Sequence, residues 1–69
     1  MIKKYILLKT DSITWCGVKL FRIQRISDNS LGGYIEKELN LSHEGNAWVS
    51  GKAQVFGNAW VFGKAWVNT

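Results

Sequence analysis

A chain of 69 residues with one cysteine, no proline and a net charge of +4 forms a single lean domain: below roughly 70–80 residues one core rarely supplies more than about 3–5 kcal/mol, so a staple is needed. Cys16 alone cannot close an internal disulfide and suits a reducing cytosol, no Cys/His cluster offers structural zinc, and oligomerisation is the staple that remains. The positive charge is scattered from Lys3 to Lys64, which excludes an acidic DNA mimic and mildly favours anionic partners such as nucleotides, nucleic acid or acidic protein surfaces.

At the N-terminus, "MIKKYILLKT" holds an apolar run too short for a signal-peptide core, and no small-residue cleavage site follows it. No stretch reaches the ~20 apolar residues required to span a bilayer, so a soluble, cytoplasmic protein with no membrane partner is expected. "KYILLK" is apolar and β-compatible, and "TDS" reads as a turn. In "ITWCGVKLFRIQRIS", Phe21 and Ile23 alternate with Arg22 and Gln24, the period of a half-buried strand. Cys16-Gly17 bends the chain or forms a bulge. Residues 2–26 therefore read as two or three antiparallel strands, a hairpin or meander. Asp28, Asn29, Ser30, Gly32 and Gly33 are turn formers and place a reversal near 28–33. "YIEKEL" fits a short strand or one helical turn, and the residues leave both open.

From Asn46 the chain repeats every six residues: Val49, Val55, Val61 and Val67; Ala47, Ala53, Ala59 and Ala65; Gly51, Gly57 and Gly63. Repeats of this length belong to β-helices, in which each unit is one short strand plus a corner and successive coils stack. Along A-W-V-F the side chains alternate, alanine and valine to one side, tryptophan and phenylalanine to the other. Valine fills a narrow interior, alanine leaves room near a corner, and glycine followed by Asn or Lys takes the bend. A meander of tiny antiparallel strands with Gly-Asn and Gly-Lys turns is the competing arrangement. It accounts for the turns but gives no reason for the strict phase. The single domain, residues 1–69, thus divides into N-terminal strands (1–30), a motif and turn region (31–45) and the repeat coil (46–69).

The phrase V-x-G-[N/K]-A-x resembles the hexapeptide repeats of left-handed parallel β-helices, the architecture of many acyltransferases. "LGGYIEKELNLSHEGNAWV", running into the hexads, is similar to a group of small, mostly phage-encoded β-helix proteins. These carry an LGG-aromatic-I-E motif and an N-L-S-x-E-G-N-x-W-V segment, and are often labelled transferases on repeat content alone. The resemblance covers residues 31–67 and, more loosely, "LFRIQRI". It implies an all-β fold, a short left-handed parallel β-helix of about one coil preceded by an antiparallel hairpin or meander. Three hexads then make one coil, and residues eighteen apart stack at about 4.8 Å. Trp48 is expected beside Trp66, Ser50 near Asn68 and Asn46 near Lys64. A phage origin, and hence a host cytoplasm, is likewise what the resemblance implies. Related proteins run to many more coils, so this one is severely shortened.

With valine and alanine inside, Trp48, Phe56, Trp60, Phe62 and Trp66 face outward. Trp60 and Phe62 share one face, Gln54 and Phe56 mark the second, and Trp48 and Trp66 stack on the third. A monomer rarely leaves so much contiguous apolar surface bare. Either the N-terminal strands cover one face and a neighbouring subunit another, or some of the rings form a binding surface. In the second case bases stack on the rings while Arg22, Arg25, Lys52 or Lys64 hold phosphates, or the same residues anchor a protein partner. The last strand, "AWVNT", presents an open edge. Two copies would meet end to end through it, and a side-by-side trimer is the alternative assembly.

His43 is the only histidine. The acyltransferase resemblance implies a histidine general base, and imidazole suits proton transfer near neutral pH. Within "NLSHEGN", however, His43 reads as a solvated or capping residue, and one per chain builds a zinc site only on a symmetry axis. Cys16 reads as a small side chain packed beside Trp15, without the basic neighbour a reactive thiol needs. Glu36, Glu38 and Glu44 offer no carboxylate pair. Gly32-Gly33 lacks the Lys-Ser/Thr of a phosphate loop and reads as a turn. No catalytic residue, metal or cofactor is assigned. The expectation is a non-enzymatic, homo-oligomeric binding module, a phage accessory protein that sequesters or blocks a host component. That component would be a nucleotide-type defence signal or a host defence protein. A reduced acyltransferase-like protein and a structural or assembly component are the alternatives.

Overall fold

The apolar run Tyr5–Leu8 and the alternating segment Phe21–Gln24 pair with each other and draw the first third of the chain into a long hairpin. In the computed structural model, which describes residues 3–68, β1 (Tyr5–Trp15) and β2 (Val18–Arg25) pair antiparallel from Tyr5↔Arg25 to Trp15↔Val18. The expected strand start at Ile2 and the final Thr69 lie outside the described residues. The hairpin turns at Cys16 and Gly17, both with positive φ (50° and 80°), the conformation that matches the twist of flanking strands in two-residue turns. "TDS" is not a turn. Lys9, Thr10 and Asp11 bulge within β1, where the register passes from Leu8↔Arg22 to Ser12↔Phe21. Asp11 there lies 3.9 Å from Arg22.

β3 (Leu31–Ile35) pairs antiparallel with β2. The reversal into it occupies residues 27–30, where Asn29 has φ 60° and the Asp28 carboxylate accepts from the Ser30 N–H and hydroxyl at 3.1 and 2.7 Å. Gly32 and Gly33 lie in the strand, which corrects their expected place in the turn. A Cβ on Gly33 would sit 2.6 Å from Val49 Cγ1 and 2.7 Å from the Ala53 carbonyl. Glycine is required here for close approach.

On its other side β3 pairs in parallel with β5 (Gln54–Val55), Ile35 opposite Val55. Leu41 forms a parallel bridge with Val61, and β4 (Trp48–Val49) pairs in parallel with β6 (Trp66–Val67). Residues 33–49 are therefore one winding stacked on a second, 53–67. The fold is all-β with a mixed four-stranded sheet, β1-β2-β3-β5, and the two-stranded β4-β6. Ile35, Leu41 and Val49 lie over Val55, Val61 and Val67, and all but the half-buried Val67 are buried, together with Ala47 and Ala53. Gly51, Gly57 and Gly63 turn the hexad corners with φ of 65°, 66° and 67°.

Where about one coil was expected, two windings stack. The first is built by the motif region, whose hexad positions are disguised. Its corner after Ile35 is a 3₁₀ turn, Glu38–Asn40, so "YIEKEL" supplies both a strand end and a helical turn. Asn40 is buried there; its amide donates to the Gly57 and Ala59 carbonyls at 3.2 and 2.8 Å and accepts from the Lys37 N–H at 3.0 Å. The next corner is two residues longer than a hexad allows, so the parallel pairs are twenty residues apart on two sides and eighteen on the third. On that third side Trp48 pairs with Trp66, as expected, and the N–H groups of Ser50 and Asn46 donate to Val67 and Gly63 at 2.8 and 2.9 Å.

The hairpin seals the first winding. The Tyr5 hydroxyl donates to the Leu41 carbonyl at 2.5 Å, with the Glu38 carbonyl 3.1 Å away. The Lys4 ammonium donates to the carbonyls of Ala47 at 2.6 Å and Gly45 at 3.4 Å. Backbone acceptors that no strand meets are thus satisfied by side chains.

Candidate functional site

The hexad corners project the aromatic residues outward on different sides, and the hairpin decides which stay open. Trp60 and Phe62 flank the bridging Val61; their rings stack with centroids 4.3 Å apart and remain 60% and 53% exposed. Beside Trp60 is a cleft of about 340 Å³ walled by Glu38, Leu39, Leu41, His43 and Glu44.

His43 is neither solvated nor a cap. Its ring stacks on Tyr5 with centroids 4.1 Å apart, Nδ1 accepts from the Lys4 backbone N–H at 3.0 Å, and Nε2 lies 2.8 Å from the Glu38 carboxylate. With Nδ1 accepting, the neutral ring carries its hydrogen on Nε2 and donates to Glu38. That hydrogen bond, reinforced by Lys3 at 3.6 Å, holds the Glu38 carboxyl below its usual range. Burial, and then the charge of Glu38, pushes the Tyr5 hydroxyl well above its own. Nδ1 and the ring stack thus fasten the hairpin to the first winding, while Nε2 ties His43 to the 3₁₀ corner at Glu38, so both imidazole nitrogens are engaged.

Trp48 corrects the expectation of an outward, available ring. It is 3% exposed, lying under the Arg25 guanidinium at 4.4 Å and edge-on to Tyr5 at 6.4 Å. The hairpin crosses this side of the windings and covers the upper tryptophan, while its neighbour Trp66 stays 57% exposed. Beside Trp66 opens a second cleft, of about 520 Å³, lined by Lys4, Arg25, Ser27, Gly45, Asn46 and Trp66. Burial, and then the charge of Arg25, lowers the pKa of Lys4.

The other expected binding residues do not gather at these clefts. Phe56 is exposed on the side where Gln54 meets Tyr34. Arg22 donates from Nε to the Gly32 carbonyl at 3.1 Å and lies over the Tyr34 ring at 5.4 Å, so its contacts are within the hairpin and β3. Lys52 and Lys64 are exposed at hexad corners, outside the linings of both clefts. Cys16 is exposed in the hairpin turn, not packed. Among the described residues no group of three His, Cys, Asp or Glu side chains converges, and no helix is long and apolar enough to cross a membrane.

Sequence reasoning missed Lys4, Ser27 and Asn40. The hairpin register carried a usable signal for the first, since Tyr5↔Arg25 places Lys4 at the Arg25 end of β2. That signal becomes readable only once the turn is fixed at Cys16-Gly17. No family model, curated protein or solved structure matches the chain.

Proposed function

We propose that the chain is a short left-handed parallel β-helix of two coils acting as a non-enzymatic, self-associating binding module. In this reading it is a phage accessory protein that works in the host cytoplasm by sequestering or blocking a host component. The observation that carries it is the division of the aromatic surface. The hairpin buries Trp48, yet Trp60, Phe62 and Trp66 remain more than half exposed in a chain of 69 residues. Exposed rings of this size mark interaction sites. The engagement of both His43 nitrogens, Glu38 and the Tyr5 hydroxyl in structural contacts supports a binding role over acyl transfer. Among the described residues β5 and β6 are edge strands, and paired edges supply the burial that one small chain lacks.

Size-exclusion chromatography with light scattering and native mass spectrometry, on protein purified from the producing cell, tests this reading. The expected result is a mass that is a multiple of the 7.8 kDa chain, with a small molecule or host protein retained. A bare, well-folded single copy would sink it. Acyl transfer that disappears in His43→Ala while folding is preserved would move the protein to the enzyme class.

A further inference from the structure

Lys4, Arg25, Ser27, Asn46 and Trp66 line one cleft. No carboxylate lines it; Asp28 approaches Arg25 at 3.7 Å from the exposed turn. The Lys4 ammonium spends two donors on the Ala47 and Gly45 carbonyls, which fix its position and leave a third. Arg25 is fixed in turn by its seat over the buried Trp48 ring. Among the described residues its guanidinium has no closer charged partner than Asp28.

We propose that this cleft binds a phosphorylated aromatic small molecule of the nucleoside monophosphate class. The phosphate lies against Lys4 and Arg25 with hydrogen bonds from Ser27 and Asn46, and the base stacks on Trp66. This rests on the reading of the chain as a binding module and gives it a ligand class and a place. Paired cations recognise phosphate through charge-assisted hydrogen bonds. Every base has a face that stacks on an indole. The cleft's volume of about 520 Å³ lies within the range of small-molecule sites, about 300–1,000 Å³. Burial, and then the neighbouring Arg25 charge, disfavour the Lys4 ammonium, and an anion between the two cations offsets that cost. The two tryptophans of this side then have separate roles: the buried Trp48 positions Arg25, and the exposed Trp66 is the platform. The cleft beside Trp60 does not suit the same ligand, because Glu38 and Glu44 line it and repel phosphate.

Calorimetric titration of the full chain with adenosine 5′-monophosphate, adenosine and inorganic phosphate tests the assignment, with the guanine, cytosine and uracil monophosphates as further probes. A monophosphate is expected to bind at least about tenfold more tightly than adenosine or phosphate alone, since each of those fills half the site. Trp66→Ala weakens it about 5- to 100-fold, the loss of one stacked base. Ser27→Glu, which puts a carboxylate beside Arg25 on an exposed turn, abolishes binding without changing the far-ultraviolet circular dichroism. Trp15→Ala, at the turn end of the hairpin far from Arg25, leaves it unchanged. Flat titrations with all four monophosphates, or equal losses in Trp15→Ala and Trp66→Ala, overturn the assignment. If those titrations are flat while native mass spectrometry still finds a retained partner, the cleft assignment falls alone. If a monophosphate binds to a single copy in the expected pattern, the cleft stands and self-association falls.

Discussion

Tyr5 and Asn40 hold the two windings and the hairpin in one piece, and both do so with side-chain hydrogen bonds to backbone groups. In Tyr5→Phe the buried Leu41 carbonyl loses its donor, at a cost of about 1–3 kcal/mol in urea unfolding. The Tyr5 pKa is raised above the ordinary 10.0, so its contribution is complete below that pH and is lost as pH rises through the folded value. The natural chain should therefore lose stability above pH 10 by an increment that Tyr5→Phe lacks. Glu38 has the opposite sign: its pKa is lowered from 4.5, so its contribution is present above that value and lost as pH falls through the folded one. With the carboxylate side chain 47% exposed, solvent screening keeps this effect small, and Glu38→Gln should only flatten the acid limb of the urea midpoint. Asn40→Ala removes the part-buried hydrogen bonds to the Gly57 and Ala59 carbonyls and from the Lys37 N–H and is expected to cost about 2 kcal/mol or more, since each such bond contributes about 0.5–1.5 kcal/mol.

At the level of elements, the hexads were readable because every one of their corners uses the same chemistry, a glycine near φ 65° followed by Lys or Asn. The first winding was not, although Ile35, Leu41 and Val49 occupy the same interior column as the valines. One of its corners keeps the six-residue step but is a 3₁₀ turn without glycine, and the other is lengthened to carry His43 up to Tyr5 and Lys4, so the glycine signal is lost at the first and the period at the second. Gly33 was misplaced for a related reason: a glycine needed for close approach is indistinguishable, as a letter, from one needed for a turn. Paired substitutions separate the two uses. Gly33→Ala drives a methyl group into the Ala53 carbonyl and Val49 and should destabilise by about 1–3 kcal/mol or more through overpacking. Gly57→Ala meets nothing within 4 Å, so only its left-handed backbone costs, about 1–2 kcal/mol. Thermal unfolding should place the melting temperature of Gly33→Ala below that of Gly57→Ala.

The whole molecule is asymmetric from end to end. The hairpin, Tyr5 and Lys4 close one end of the aliphatic column, while at the other Val67 is half-buried and Ala59 and Ala65 are exposed. If copies join through that end, Val67→Lys should reduce the light-scattering mass to one chain and leave the β-type circular dichroism intact. An unchanged multiple of the chain mass would instead place the contact on the Trp60–Phe62 side. By itself the sequence determined the all-β class, the six-residue corners, the inward valines and the pairing of Trp48 with Trp66, because each follows from local backbone chemistry and a fixed period. Only the tertiary structure decided that two windings stack, that Trp48 is buried while Trp66 is open, and that Lys4 joins Arg25 in one cleft. Those outcomes depend on where the hairpin lies across the windings. Its position is set by the contacts of Tyr5, Lys4 and Arg25 with residues some twenty to forty positions away, and no local pattern encodes a separation of that length.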